Sequence, residues 1–420
     1  MSETLTYFPT IEAVEAAAKK LEGVANVTPL IHNVQYSSTY DCNISFKRED
    51  LQVVRSYKIR GAYNKMSSLT EEESANGVVC ASAGNHAQGV ALSCKLLKIQ
   101  GTIFMPTTTP NQKIERAKMF GEHYVKIILI GDSFDDAYNA AMKDCTERQK
   151  TFIHPFNDEK VIEGQATLGL ELIHQTAAPI DYIFVAVGGG GLASGMSTVF
   201  KLLSPSTKII GVEPEGAPSM KTAFQKGKVV ELDAIDNFVD GAAVKRVGDK
   251  NFAICQKNLH DMITIHEGNA CQTILDLYNK EAIIAEPAGA LSVSALEAYK
   301  EEIKGKNVVC IISGGNNDIT RTAEIKERAL LYSNLKHYFI IRFPQRAGAL
   351  REFVVDILGP NDDITHFEYT KKVNRENDVA VVGIQVKSPE DLEPLIAKMK
   401  EHNFYGNYLN EKPELFQFLV

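Results

Sequence analysis

Four short stretches of this 420-residue chain carry residue types that do chemistry, and each stands where an extended or apolar run turns. The first is Ser56-Tyr57-Lys58-Ile59-Arg60-Gly61-Ala62. A lysine beside Arg60 at a helix start sits among positive potentials, which lower its pKa toward a nucleophilic amine able to form a Schiff base. A solvated surface lysine would look the same in isolation. The second, Ser82-Ala83-Gly84-Asn85-His86-Ala87-Gln88-Gly89, is nearly all small or polar. Its backbone N–H groups suit a carboxylate at a helix start, and Asn85 suits a ring substituent; a capped turn with His86 satisfied locally is the alternative. In the third, Gly188-Gly189-Gly190-Gly191-Leu192, glycines permit positive φ and open amides, a nest for phosphate or else a purely structural turn. No lysine follows, so it is not a nucleoside-triphosphate loop. With Ala193 and Glu213 it also fits a loose dinucleotide fingerprint, which would make the chain an NAD-dependent oxidoreductase. The fourth, Ser313-Gly314-Gly315-Asn316-Asn317-Asp318, places a hydroxyl that could meet a heterocyclic nitrogen without supplying charge, though a simple turn explains it as well.

Loops of this kind need strands and helices to aim them. Apolar runs ending in turn residues alternate with amphipathic stretches: GVVCAS then HAQGVALSCKLL, GTIFMP then NQKIERAKMF, YVKIILIG then DDAYNAAMKDC. That rhythm predicts βαβ units and parallel sheet, an α/β fold whose ligands sit beyond the carboxyl ends of strands. Thr109 before Pro110 reads as a cap and first-turn proline, and Ser133 with Asp136 as a capping-box-like pair. YIFVAVG, KIIGVE and NVVCIIS resume the alternation. From about Leu330 the order becomes strand KHYFIIRF, helix after AGAL, strands ITHFEYTKK and VAVVGIQVK, helix DLEPLIAKMKEHNF and a weak strand near Tyr405. This predicts a small α+β module of ferredoxin-like connectivity, joined through ERALLYSNLK.

Composition excludes other classes. Lys and Arg number 45 against 53 Asp and Glu, a net charge of −8 without a basic stripe, so neither nucleic acid nor a membrane surface is an expected partner. The start MSETLTYFPT has no basic-then-apolar character and no apolar run approaches a membrane span, so a cytoplasmic location is expected. Seven cysteines without a CxxC pair predict buried thiols.

Together the four motifs resemble those of the pyridoxal-phosphate enzymes of the tryptophan-synthase-β fold type, and specifically the threonine dehydratase family with a single C-terminal ACT-like domain. The resemblance covers essentially the whole chain. It implies two open twisted-sheet subdomains around a pyridoxal 5'-phosphate cleft, with residues 1–75 and 153–330 forming the larger, 76–152 the smaller and 336–420 the regulatory domain. Lys58 would hold the cofactor and act as the base at Cα. Gly188, Gly189, Gly190 and Gly191 would hold the phosphate, Asn85 the phenolic oxygen and Ser313 the pyridine nitrogen. Ser82, Ala83, Gly84, Asn85 and His86 would bind the substrate carboxylate. The implied reaction is deamination of L-threonine to 2-ketobutyrate and ammonia, the first step toward isoleucine, with isoleucine inhibiting near Gly348 and Leu350, valine opposing it, and a homotetramer as the assembly. A serine dehydratase or racemase is the alternative on the same fold. Racemases of this type carry a serine where Ala83 stands, which favours deamination here. Their divalent-metal site would want a second carboxylate where Ser219 stands beyond Glu213, so no metal is expected.

Overall fold

The computed structural model describes residues 7–369, 377–412 and 416. The chain forms two compact units that part after Ile319. That division falls earlier than ERALLYSNLK suggests. The helix Thr322–Tyr332 belongs to the second unit, where the Tyr338 hydroxyl donates to Glu327 across 2.7 Å.

The first unit holds two open sheets. Six strands run in the order Leu30–His32, Asn43–Arg48, Asn307–Ile312, Tyr182–Ala186, Lys208–Pro214 and Asp261–Ile265. Every neighbouring pair is parallel except the first. A second sheet, Val125–Leu129, Gly101–Met105, Val78–Ala81 and Thr151–Phe152, is parallel throughout. Parallel strands covered by helices on both faces read as continuous apolar runs, which is why YIFVA and NVVCII show no alternation. Ile183, Val185, Val309 and Ile311 pack with Leu168, Leu172, Met196 and Phe200 of the covering helices Glu159–Gln175 and Gly191–Leu203. Burying each such side chain contributes about 1.5–3 kcal/mol.

Local signals set most helix starts. Ser133 and Asp136 form a reciprocal capping box at Phe134–Glu147. Thr109 does not act as the expected cap: the helix Asn111–Gly121 starts one residue later, at a Pro110 cap position without a side-chain hydrogen bond. Six of the seven cysteines are buried and Cys145 is partly so. Among the described residues no helix is long and apolar enough to cross a membrane.

The second unit is an antiparallel sheet ordered Asp363–Tyr369, Asn377–Gln385, Lys336–Pro344 and Tyr405–Tyr408, with helices Ala349–Glu352 and Leu392–Glu401. This is the expected ferredoxin-like connectivity, closed over Phe339, Ile341, Phe353, Val382 and Phe404. The end of the strand expected over ITHFEYTKK, residues 370–372, lies outside the described residues.

Candidate active site

Lys58 is the first residue of the helix Lys58–Met66. Its amine donates to the Pro155 carbonyl at 3.0 Å and lies 5.3 Å from the centroid of the Tyr57 ring. Burial lowers its pKa to about 8, against an opposing pull from Glu286. The cause therefore differs from the expected one. Arg60 points away from the amine, as residues two apart on a helix do. Its guanidinium is buried against Glu49 and Glu171, at 2.8 and 2.6 Å, which neutralise it. Lys58 is activated by desolvation, not by a neighbouring cation.

The second and fourth loops touch the segment that carries this amine, and the third is joined to it through residues 155–156. The helix Asn85–Leu97 lies on the main chain of Lys58 through Gly89, where a Cβ would come within 3.2 Å of the Lys58 carbonyl group. Gly84 occupies its cap without a side-chain hydrogen bond, so the first N–H groups of that helix have no intrahelical acceptor. Ser82 Oγ accepts from the Gly84 N–H at 3.2 Å and Ala83 is partly exposed beside it. His86 is buried, its Nε2–H donating to the Ile153 carbonyl at 2.8 Å. Burial first, and Lys58 second, hold its pKa down to about 3, so the ring is neutral.

Residues 153–157 tie the amine to the glycine loop. Pro155 receives the Lys58 bond, while the Phe156 ring lies where a Cβ on Gly189 would come within 2.3 Å. Gly190 adopts φ +93° as cap of the helix Gly191–Leu203, again with no side-chain cap. The turn itself is organised by His154, whose Nδ1 accepts from the N–H groups of Phe156 and Asn157 at 3.2 and 2.8 Å. The result is an open row of amides at the positive end of a helix, which suits a phosphate. Behind it Asn251 is buried with its Oδ1 unpartnered.

The Ser313 loop arrives by main-chain bonding. The Ser313 carbonyl accepts from the Tyr57 N–H at 3.2 Å, and Ser56 pairs with Gly314 in an isolated bridge. Ser313 is thereby placed next to the lysine segment, with its side chain buried.

Sequence reasoning missed Glu286, Asn316 as a side-chain donor, His154 and Phe156. Glu286 Oε1 accepts from Asn85 Nδ2 at 2.7 Å, and Asn85 Oδ1 accepts from Asn316 Nδ2 at 2.6 Å. Desolvation raises the Glu286 carboxyl to about 7. An acidic residue ahead of Pro287-Ala288-Gly289, at a helix start, was the available signal.

Glu213 faces elsewhere. Its carboxylate accepts from the N–H groups of Met220 and Lys221 at 2.7 and 2.9 Å, capping the helix Ser219–Lys226. That engagement removes the acidic residue a dinucleotide ribose would need. The Ser219 hydroxyl donates to the Val244 carbonyl. Among the described residues no three His, Cys, Asp or Glu side chains cluster as a metal site would require.

Parallel α/β sheets, a buried amine of lowered pKa and a glycine-lined helix start beside it define an enzyme class that anchors a phosphorylated carbonyl cofactor on lysine. The comparisons agree. Residues 21–314 match the family model described as pyridoxal-phosphate dependent enzyme, and residues 327–419 the one described as C-terminal regulatory domain of threonine dehydratase. The biosynthetic L-threonine dehydratase of Halalkalibacterium halodurans is 54% identical over 98% of this chain and 99% of its own. That of Bacillus subtilis is 53% identical over 98% and 97%. The processed form of threonine deaminase isoform 2 from Solanum lycopersicum superposes with a TM-score of 0.72 at 39% identity, covering 77% of this chain and 95% of that one. The chain belongs to the pyridoxal-phosphate-dependent enzyme family, in its threonine dehydratase branch with a C-terminal regulatory domain.

Proposed function

We propose that this chain removes ammonia from L-threonine with pyridoxal phosphate held on Lys58, yielding 2-ketobutyrate, and that its C-terminal unit binds a branched-chain amino acid that controls the rate. The reading rests on one observation above others: a desolvated amine with a pKa near 8 on a segment whose main chain touches the second and fourth motif loops and whose acceptor, Pro155, adjoins the residue packed against the glycine loop. Gly188 to Gly191 would take the phosphate, Asn85 the phenolic oxygen and Ser313 the pyridine nitrogen. The open N–H groups from Asn85 onward, with Ser82, would take the substrate carboxylate. When bound, the cofactor supplies an electron-withdrawing ring that stabilises negative charge at the substrate Cα.

The chain's own groups do the rest. Lys58 Nζ, freed when the substrate amine takes its place, would take the Cα proton and hand it to the departing β-hydroxyl, which leaves as water; the released enamine hydrolyses to 2-ketobutyrate and ammonia. His86 cannot serve as acid near neutral pH, since its ring is neutral and its N–H is committed to Ile153. By similarity to racemases of this fold Ala83 would stand on the face opposite Lys58, where it has no proton to exchange, which supports elimination over racemisation.

In the second unit, an open pocket of about 410 Å³ lies between the end of the strand Lys336–Pro344 and the helix Ala349–Glu352. Phe343, Leu350, Phe367 and Tyr369 give it an apolar wall and Arg346, ion-paired with Glu352, a charged one, a combination that suits an aliphatic amino acid such as isoleucine or valine. The expected assembly is a homotetramer in the cytoplasm; sedimentation tests the former. The decisive experiment adds L-threonine and L-serine to purified protein loaded with pyridoxal phosphate. Production of 2-ketobutyrate and pyruvate is expected, with little D-serine and with turnover abolished in Lys58→Ala. Wild-type turnover in that variant would refute the assignment, as would D-serine accumulating as fast as pyruvate.

A further inference from the structure

The side chains around Asn85 form a hydrogen-bonded chain whose direction is set by Arg116 and the Val54 carbonyl. Arg116, from the helix Asn111–Gly121, only donates and meets Asn316 Oδ1. The Val54 carbonyl only accepts, and takes one N–H of Asn316 Nδ2 at 2.9 Å. Asn316 is thus held with its nitrogen toward Asn85, whose Oδ1 receives the other N–H at 2.6 Å. At the far end the Glu286 carboxylate accepts from Asn85 Nδ2 at 2.7 Å. An asparagine amide has two nearly isosteric orientations, and here neither end of Asn85 can be exchanged without placing oxygen against oxygen and nitrogen against nitrogen. Two donors on Nδ2 minus the one given to Glu286 leave a single N–H for a ligand.

We propose that Glu286 and Asn316 are positioning residues that set the sense of the Asn85 amide, so that Asn85 offers the cofactor's phenolic oxygen an N–H and never a carbonyl. The inference rests on the pyridoxal-phosphate reading above and adds what orients its ring. Glu286 is well placed to hold this arrangement: it is buried, anchored by its own N–H to the Gly314 carbonyl at 3.1 Å, and stands at the N-cap of the buried helix Pro287–Ser294. The clamp also joins the two sheets. Asn85 and Arg116 come from helices packed on the four-stranded sheet, whereas Asn316 and Glu286 follow and flank the strand Asn307–Ile312 of the six-stranded one.

A double-mutant cycle tests it, using the full chain titrated with pyridoxal phosphate. The readouts are the cofactor dissociation constant and the ratio of visible to near-ultraviolet absorbance of the lysine-bound cofactor, a ratio that reports whether the phenolic oxygen is ionised. E286A and N316A should each weaken binding about tenfold and lower the ratio. In the N85A background neither should change either quantity by more than about twofold, because the group through which they act is gone. Losses that multiply in the N85A background would overturn the proposal. If E286A does not fold, N316A removes the opposite end of the same clamp and carries the same two expectations. A wild-type chain that takes up no cofactor on Lys58 would instead refute the functional reading itself.

Discussion

Replacing Arg60 by methionine separates two accounts of why Lys58 is reactive. Arg60 gives its guanidinium to Glu49 through Nε and Nη2, both at 2.8 Å, and to Glu171 at 2.6 and 2.9 Å. All of this is nearly sealed from solvent, with side-chain exposures of 1% for Arg60, 0% for Glu49 and 15% for Glu171. Arg60→Met leaves Glu171 with Lys47, which stays at 2.6 Å, but leaves Glu49 with only the Thr28 hydroxyl and the Gln52 amide. Burial pushes the Glu49 carboxyl up, and Arg60 is the main reason it nevertheless stays below the usual range. Breaking a buried pair by removing one partner costs about 3–5 kcal/mol. The surviving Lys47 contact places this case near 3 kcal/mol, or a melting point lower by about 4–5 °C for a unit of this size. Glu49→Gln added to Arg60→Met should recover part of that loss. Meanwhile the rate at which pyridoxal phosphate attaches to the lysine, followed against pH by stopped flow, should keep its midpoint near 8. Loss of a coupled cation would raise that midpoint. A melting point unchanged within about 2 °C, or a midpoint displaced upward by about a unit, would refute the reasoning.

The buried imidazoles contribute an acid-sensitive part of the first unit's stability: burial lowers His86 to about 3 and His154 to about 4. The unfolded chain binds protons that these folded rings refuse, so their contribution falls as pH drops below roughly 6.5, by about 2 kcal/mol per ring at pH 5. Glu213 and Glu286, raised by burial to about 8 and about 7, gain stability over the same range and oppose this. The imidazole part is therefore read as a difference: in denaturant titrations the stability of the wild type relative to His86→Gln should fall by about 2 kcal/mol between pH 7 and 5. Gly189→Ala would set a methyl 2.3 Å from the Phe156 ring, and should weaken cofactor binding at least about tenfold while the fold's circular dichroism is kept. A chain ending at Ile319, where the first unit stops, should remain active and lose its response to isoleucine; in the full chain a coupling of about 1–3 kcal/mol should change substrate affinity about 5- to 150-fold. Retained inhibition in the folded fragment would place the effector outside the second unit.

The parts of the site that were legible in the sequence share one property: their chemistry is carried by consecutive residues at a strand-to-helix junction. Four glycines after YIFVA, or Ser-Ala-Gly-Asn-His after GVVCA, announce open amides because backbone freedom and helix starts are local matters. The same holds for the alternation that predicted parallel sheet and the βαββαβ order of the tail, since side-chain period follows from backbone geometry alone. Partners across the fold are a different matter. Glu286 meets Asn85 from 201 positions away and Glu171 meets Arg60 from 111, and no local pattern encodes such distances. Arg60 shows the cost of reading proximity along the chain as proximity in space: two residues on, a helix has turned it to the opposite side, into a buried ion pair. Residue types and their order thus pointed to the groups proposed to line the cleft. Only the packing of the two sheets decided that Lys58 is made reactive by exclusion of water, that Glu213 serves a helix start, and that the Asn85 amide has a single orientation, because desolvation and hydrogen-bond direction are properties of a surrounding and not of a residue.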